Sequence, residues 1–362
     1  MTPRTSVRAL LICAMVALVA GPLGAVPAGA QQATAQVVQG MKGLGEVWCG
    51  PDGTCLSVGL SSQDVGAVVV LRASGPSGPV RPVPGTTTLS SITCPASGSC
   101  IAVGSAGGLG PGVVVEVGRD GTPGLARPVP GVNGLLDVAC PTATTCIATG
   151  LQSVDLPAYP YLGSVPRFTI IENGQPGPVR DFPRRTGRAI GIACPNATTC
   201  LAAFTGGFVV LRQIDGAWTT TVRFASTSGG RSTEEISCPS STICYATAVV
   251  FISSGSGSYG VPAIMPVSAD GVPGPLQALS SQSGNAYNIS CVPGRACTVV
   301  GENHLPSAAL AIDVVRGSPM ARTLWPTVDD FVGVSCIAAA TCGITGGFGN
   351  TAFFVWHGPV PV

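Results

Sequence analysis

Histidine is almost missing from this 362-residue chain, which has only His304 and His357. Two imidazoles rule out a series of histidine-ligated metal sites. Charge is scarce too. Asp, Glu, Lys and Arg make up 10% of residues, 18 basic against 17 acidic, and Lys42 is the single lysine. So little charge, with no bias of sign, gives no electrostatic footing for nucleic acid or an anionic membrane as partner. Aromatic residues amount to 5%, so any core must be assembled from many small apolar side chains. Past the first thirty residues no apolar run reaches the ~18 residues that mark a membrane-spanning helix. Nucleophile-elbow, HExxH, Walker and dinucleotide motifs are also absent.

What the chain does have is 50 Gly and 32 Pro among abundant Val, Ile, Leu and Ala. That combination fits many short strands joined by tight turns better than it fits disorder. Arg4 and Arg8, an apolar run from Ala9 to Ala20, and Ala28-Gly29-Ala30 before Gln31 read as a signal peptide over residues 1–30, cleaved near Ala30. Its loss removes two basic groups and no acidic one, leaving a net charge of −1. A secreted, extracytoplasmic protein is expected, with residues 31–362 forming a single domain and the protein a monomer.

The cysteines carry the repeat. Beyond Cys13 they form seven C-x₅-C pairs: Cys49 with Cys55, Cys94 with Cys100, Cys140 with Cys146, Cys194 with Cys200, Cys238 with Cys244, Cys291 with Cys297 and Cys336 with Cys342. First cysteines lie 45, 46, 54, 44, 53 and 45 residues apart, the length of a unit of four short strands. The unit from Leu89 reads LSSITC, PASGS, CIAVG, a glycine-rich loop, GVVVEV, GRDGTPG and LARPVP. Val47, Ile92, Val138, Ile192, Ile236, Ile289 and Val334 mark the strand before the first cysteine, here called a, and the segment after the second cysteine is b. Runs such as Val113 to Val117 are c. Asp120-Gly121, Asn173-Gly174, Asp215-Gly216 and Asp270-Gly271 supply c-to-d turns with positive φ. The pattern predicts an all-β, seven-bladed β-propeller with four-stranded antiparallel blades. The last unit stops soon after strand c, and ATAQVVQG at Ala33 to Gly40 resembles a d strand. This N-terminal strand is expected to complete the last blade.

Two cysteines flanking a five-residue loop between antiparallel strands meet at disulfide distance. Metal binding is the competing reading, but C-x₅-C is not a zinc spacing and the histidines are too few. One disulfide per blade is therefore expected, each ring contributing about 2 kcal/mol. The units Ile92 to Gly104, Val138 to Gly150 and Ile236 to Thr247 resemble those of exported actinobacterial propellers that read (I/V)-S-C-(P)-x₄-C-x-A-V-G. They are more distantly similar to sialidase-type and photosystem-assembly-factor propeller repeats. The Asp-box of the sialidase type is missing, so the resemblance implies architecture and no activity.

Candidate sites follow from blade geometry. The a-to-b and c-to-d turns share the stapled face, and the b-to-c and d-to-a connections form the opposite, open face. Unit length varies most in the b-to-c segments Gln152 to Pro166 and Ile252 to Pro262, where Tyr159, Tyr161 and Tyr259 offer aromatic contacts. Arg184, Arg185 and Arg188 cluster in a d-to-a loop, and Glu302 with His304 in a b-to-c loop forms an acid/base pair. Three residues before each first cysteine stand Glu46, Ser91, Asp137, Gly191, Glu235, Asn288 and Gly333, all expected to face the axis. Their oxygens suit Ca²⁺ or a solvated channel. The expected function is a non-catalytic scaffold binding a protein, peptide or cell-envelope glycan on its open face. The alternative is a hydrolase or lyase using the channel carboxylates Glu46, Asp137 and Glu235, with or without a metal ion, and their convergence to about 6 to 10 Å, the spacing expected of a glycosidase pair, would favour it.

Overall fold

The computed structural model describes residues 34–108, 110–154, 163–183, 189–224, 230–254 and 257–359. The expected signal peptide lies outside them, as do Tyr159, Tyr161, Arg184, Arg185 and Arg188. Among the described residues every regular element is a strand. Units of four antiparallel strands repeat seven times, as in the second unit, where Thr88–Thr93, Cys100–Ser105, Gly112–Val117 and Pro123–Val129 pair in chain order. This is a seven-bladed β-propeller. In the third blade the outer strand is split into Gln175–Pro176 and Arg180–Asp181, both paired with Gly163–Glu172. In the seventh the fourth strand is Gln36–Val37, antiparallel to Thr351–His357 with Gln36 opposite Phe354.

The hydrophobic residues collect between blades. Seven buried clusters each join one blade to the a, b and c strands of the next, through strands b and c in six of them, as Leu56, Val58, Val68 and Val70 join Ile92, Ala102, Val113 and Val115, and through strand c where the seventh blade meets the first. Continuous apolar runs in the chain explain this, because b and c are buried on both faces and read as unbroken Val, Ile, Leu and Ala segments.

Each blade carries the disulfide expected of it. Cys49 is joined to Cys55, Cys94 to Cys100, Cys140 to Cys146, Cys194 to Cys200, Cys238 to Cys244, Cys291 to Cys297 and Cys336 to Cys342, with Cα atoms 3.9–4.0 Å apart. The second cysteine of every pair lies on strand b and belongs to a buried junction: Cys55, Cys100, Cys146, Cys200, Cys244, Cys297 and Cys342 are all at most 4% exposed. The staples are therefore part of the interblade packing as well as links within a blade. The glycine of the A-V-G segment also has a physical reason. A Cβ on Gly104 would lie 2.1 Å from Thr88 O, and one on Gly301 the same distance from Asn285 O, so strands a and b approach too closely there for any side chain.

On the outside, d-strand arginines reach forward to the c-to-d turn of the next blade. Arg81 Nη1 donates to Asp120 O (2.9 Å) and Thr122 Oγ1 (2.8 Å), Arg127 to Gly174 O (2.9 Å), Arg180 to Trp218 O (3.4 Å), and Arg223 Nε to Asp270 O (3.3 Å). The turns themselves differ from expectation. Asn173-Gly174 and Asp215-Gly216 have positive φ at both residues, but at 120–121 and 270–271 only the glycine does. In the latter two the chain makes a longer connection, with Gly118 N donating to Thr122 O and Ser268 N to Val272 O.

Both long b-to-c segments are corrected by the structure. Residues 252–262 lie largely within the paired strands Ile243–Ser254 and Gly257–Ser268, and Gln152–Val154 and Gly163–Pro166 extend a second hairpin. Their residues pair across the hairpin, which satisfies the backbone far beyond the blade edge. Glu302 and His304 likewise end the strand Ala296–His304 and are not in a loop.

Val38, next to the N-terminal strand, is 1% exposed and packs with Phe354 and Trp356 while its N–H bonds Ala352 O. Replacing Val38 with Asp buries an unpaired charge and opens the edge of Thr351–His357. Thermal unfolding is expected to show a loss of roughly 3 kcal/mol or more. A change under about 0.5 kcal/mol, the range of an ordinary surface substitution, would mean the strand adds nothing to the fold.

Candidate functional site

The a strands are bulged at the axis in every blade. Register shifts fall at Leu44/Val47, Leu89/Ser91, Leu135/Asp137, Ala189/Ile192, Thr233/Ile236, Ala286/Asn288 and Phe331/Gly333. Each shift coincides with the residue three before the first cysteine, and a bulge turns that side chain out of the pleat toward the axis. Glu46, Asp137 and Glu235 meet there, one carboxylate oxygen of each lying within 4.8 Å of the others. That is closer than the spacing expected for a carboxylate pair across a glycosidic bond.

Seven side chains do not fit in this ring, and the two glycines make room. A Cβ on Gly191 would meet Glu235 Oε1 at 2.4 Å, and one on Gly333 would meet Thr345 Oγ1 at 2.4 Å. The remaining groups bond one another and the bulged backbone. Asp137 accepts from Val138 N (2.7 Å) and Ile192 N (2.5 Å), Glu235 Oε1 from Ile236 N (3.0 Å), and Asn288 Oδ1 from Ile289 N (2.7 Å). Asn288 Nδ2 donates to Glu46 Oε1 (3.2 Å) and Val332 O (3.0 Å).

Ser91 fixes the proton count. Its hydroxyl touches both Glu46 Oε2 and Asp137 Oδ1 (2.7 Å) but has one proton to donate, so the second contact requires a proton on a carboxyl group. Burial raises all three acids. Glu46 is pushed well above the usual range by burial and then by Asp137, and Glu235 by burial, Asp137 and Glu46. Asp137 is raised by burial but held back by the donors Ile192 N, Ser91 and Val138 N. Burial therefore lifts Glu46 and Glu235 further than Asp137, the acid with the most donors on it.

A cavity of about 290 Å³ rises from this ring, walled by Trp48, Thr93, Ala139, Cys140, Ser237 and Cys238 among others. Cysteine-bearing ends line it, so it opens on the stapled face. Three a-strand serines each tie one blade to the next: Ser237 Oγ accepts from Cys291 N (3.0 Å), Ser290 from Cys336 N (3.0 Å), and Ser335 from Cys49 N (2.9 Å).

The open face holds a second polar constellation, in the sixth blade. Glu302 Oε1 accepts from Tyr287 Oη (2.6 Å) and Asn285 Nδ2 (2.7 Å) and lies 2.9 Å from His304 Nε2, while His304 Nδ1 lies 2.9 Å from Ser283 Oγ. Burial pushes the Glu302 carboxyl up, but bonds from Tyr287, His304 and Asn285 outweigh it and hold the group below its ordinary range. Tyr287 is raised, first by burial and then by its bond to Glu302, and stays a donor. Nearby Asp330 is raised by burial and by Glu302 and Asp329. Tyr259 is half-buried on its strand, its hydroxyl 3.5 Å from Ser281 O. The sequence pointed to Glu302 and His304; Ser283, Asn285 and Tyr287 belong to no repeat position and carried no signal of their own.

Around this constellation the open face exposes large apolar side chains on four successive blades. Phe224, Phe251, Leu305 and Phe348 are between 45% and 76% exposed.

No family model and no curated protein matches this chain. Among solved structures it is similar to U3-55K, with a TM-score of 0.62 and 10% identity over 89% of this chain and 98% of that one. The WD40 β-propeller domain of Doa1 gives 0.62 and 11% over 90% and 97%. YCF48 bound to D1 peptide gives 0.57 and 11% over 91% and 96%. At these identities the likeness is one of fold.

Proposed function

We propose that this protein is an exported binding scaffold, whose open face receives a protein, peptide or cell-envelope glycan without needing to transform it. The observation that carries this reading is the row Phe224, Phe251, Leu305 and Phe348 on blades four to seven. Aromatic side chains presented on a rigid frame are the usual anchors of an interface. Exposed apolar residues at the c-to-d turns of the stapled face, Ile214, Val272 and Val315, include no aromatic. Seven disulfides support an oxidising compartment. Among the described residues no helix is long and apolar enough to cross a membrane.

The axial carboxylates support a structural role better than a catalytic one. Asp137 and Glu235 accept from backbone N–H groups and Glu46 from Ser91 and Asn288, so these oxygens are already engaged within the fold. Binding of purified envelope polysaccharide and of peptides from the culture medium tests the reading. Serine at Phe224, Phe251, Leu305 and Phe348 together is expected to weaken binding at least tenfold, about 1.4 kcal/mol, while serine at Ile214, Val272 and Val315 leaves it unchanged. Equal loss in both variants, or loss only in the second, would overturn it.

A further inference from the structure

We propose that Ser283 is an activated nucleophile that accepts an acyl group from an ester presented on the open face, with His304 as its base and Glu302 orienting the imidazole. This goes beyond the binding reading and does not depend on it. Three observations combine.

First, the proton positions are determined by the neighbours. Tyr287 and Asn285 both donate to Glu302 Oε1, which keeps that group a carboxylate. A carboxylate 2.9 Å from His304 Nε2 requires the proton on Nε2. In the neutral ring Nδ1 then carries the lone pair, and it is Nδ1 that faces Ser283 Oγ at 2.9 Å. The approach of Asn285 Nδ2 to His304 Nε2 (3.3 Å) follows from both donors converging on one oxygen. Nucleophile, base and orienting acid are therefore in hydrogen-bond sequence.

Second, the main chain holds the pair in register, because His304 N donates to Ser283 O at 2.9 Å. That bond fixes the two main chains side by side, so the serine and imidazole start from adjacent backbone positions. Third, the group is accessible. The His304 side chain is 43% exposed, and Ser283 is half-buried at the rim, so a reagent or a polymer-borne ester can reach the oxygen.

The chemistry balances without any further component. Ser283 Oγ attacks the ester carbonyl as His304 Nδ1 takes its proton; the tetrahedral centre collapses, the C–O bond to the leaving alcohol breaks, and Nδ1 returns the proton to that alcohol. Water repeats the sequence on the acyl-serine, releasing the carboxylic acid and restoring Ser283.

The test uses the full mature protein with a fluorophosphonate probe and, separately, p-nitrophenyl acetate. With the probe, a bond forms between Ser283 Oγ and phosphorus, the P–F bond breaks, and fluoride leaves. Peptide mapping is expected to find the adduct on Ser283, and S283A to lack it with an unchanged melting temperature. The labelling rate should fall about 100-fold or more in H304A, and at least tenfold in E302Q, which keeps the shape and loses the charge. No adduct at Ser283, or equal rates in wild type, H304A and E302Q, would overturn the proposal. Melting curves of each variant separate loss of reactivity from loss of fold.

Discussion

Full reduction of the seven disulfides, with the thiols then blocked, is expected to leave the propeller unfolded at about 37 °C. Each bridge closes a loop with a sequence separation of 6, and loops of that size contribute about 2 kcal/mol each in the chain-entropy model. Seven of them together rival the ~5–15 kcal/mol by which typical domains are stable. The blades have little to fall back on, since among the described residues most junctions are filled by Val, Ala, Leu and Ile with at most two buried aromatic side chains, and only that of the third and fourth blades holds four. Replacing one pair, Cys94 and Cys100, by Ala should cost about 2 kcal/mol and leave the remaining blades folded. Calorimetry with and without reductant measures both. A melting temperature that does not move on complete reduction would mean that interblade packing alone holds the fold.

The second large effect concerns the axial ring. Glu46, Glu235 and Asp137 are all raised above their ordinary values in the folded protein. The folded state therefore binds more protons than the unfolded chain once the pH exceeds the ordinary carboxylate range. Their stabilising contribution is complete below that range and is lost as the pH climbs through the raised values. Stability is expected to fall as the pH rises above the ordinary carboxylate range. Glu46→Gln with Glu235→Gln removes the part of the dependence that these two acids carry while keeping the side-chain shape, so the double variant should melt higher than wild type at the alkaline end and flatten the profile. Asp137 accepts two backbone N–H bonds, so Asp137→Ala should instead cost about 3 kcal/mol or more at any pH. Ca²⁺ held by the same oxygens would reverse the sign: melting would rise with added Ca²⁺ and with pH. Urea melts across pH, with and without Ca²⁺, distinguish the two.

Much of the scaffold is legible in the sequence because it repeats. The seven C-x₅-C pairs determine blade number, disulfide pairing and the alternation of strand a, and Val47 through Val334 are buried as that alternation requires. The ring of Glu46, Asp137, Glu235 and Asn288 is also legible, because equivalent positions in a closed repeat must converge. Its proton sharing is not, since it depends on the sevenfold bulge and on Ser91 lying between two acids, and a bulge leaves no mark in a pattern of apolar residues. The hairpin ends within 152–166 and 252–262 read as loops because serine and glycine interrupt them, whereas cross-strand pairing continues through Ser253 and Ser258. Ser283, Asn285 and Tyr287 are invisible to a repeat-based reading for the opposite reason: they occur in one blade, and only the fold brings them to Glu302 and His304.

The division of labour between the two faces is the central claim, and hydrogen exchange tests it most directly. The mature protein would be compared free and saturated with whichever envelope polysaccharide or peptide fraction it retains. Slowed exchange is expected in residues 247–254, 257–263, 300–308 and 346–352, at the open-face ends of blades five to seven. Protection confined to the stapled face, around Trp48, Cys140 and Cys238, would contradict it and make the axial cavity the binding site.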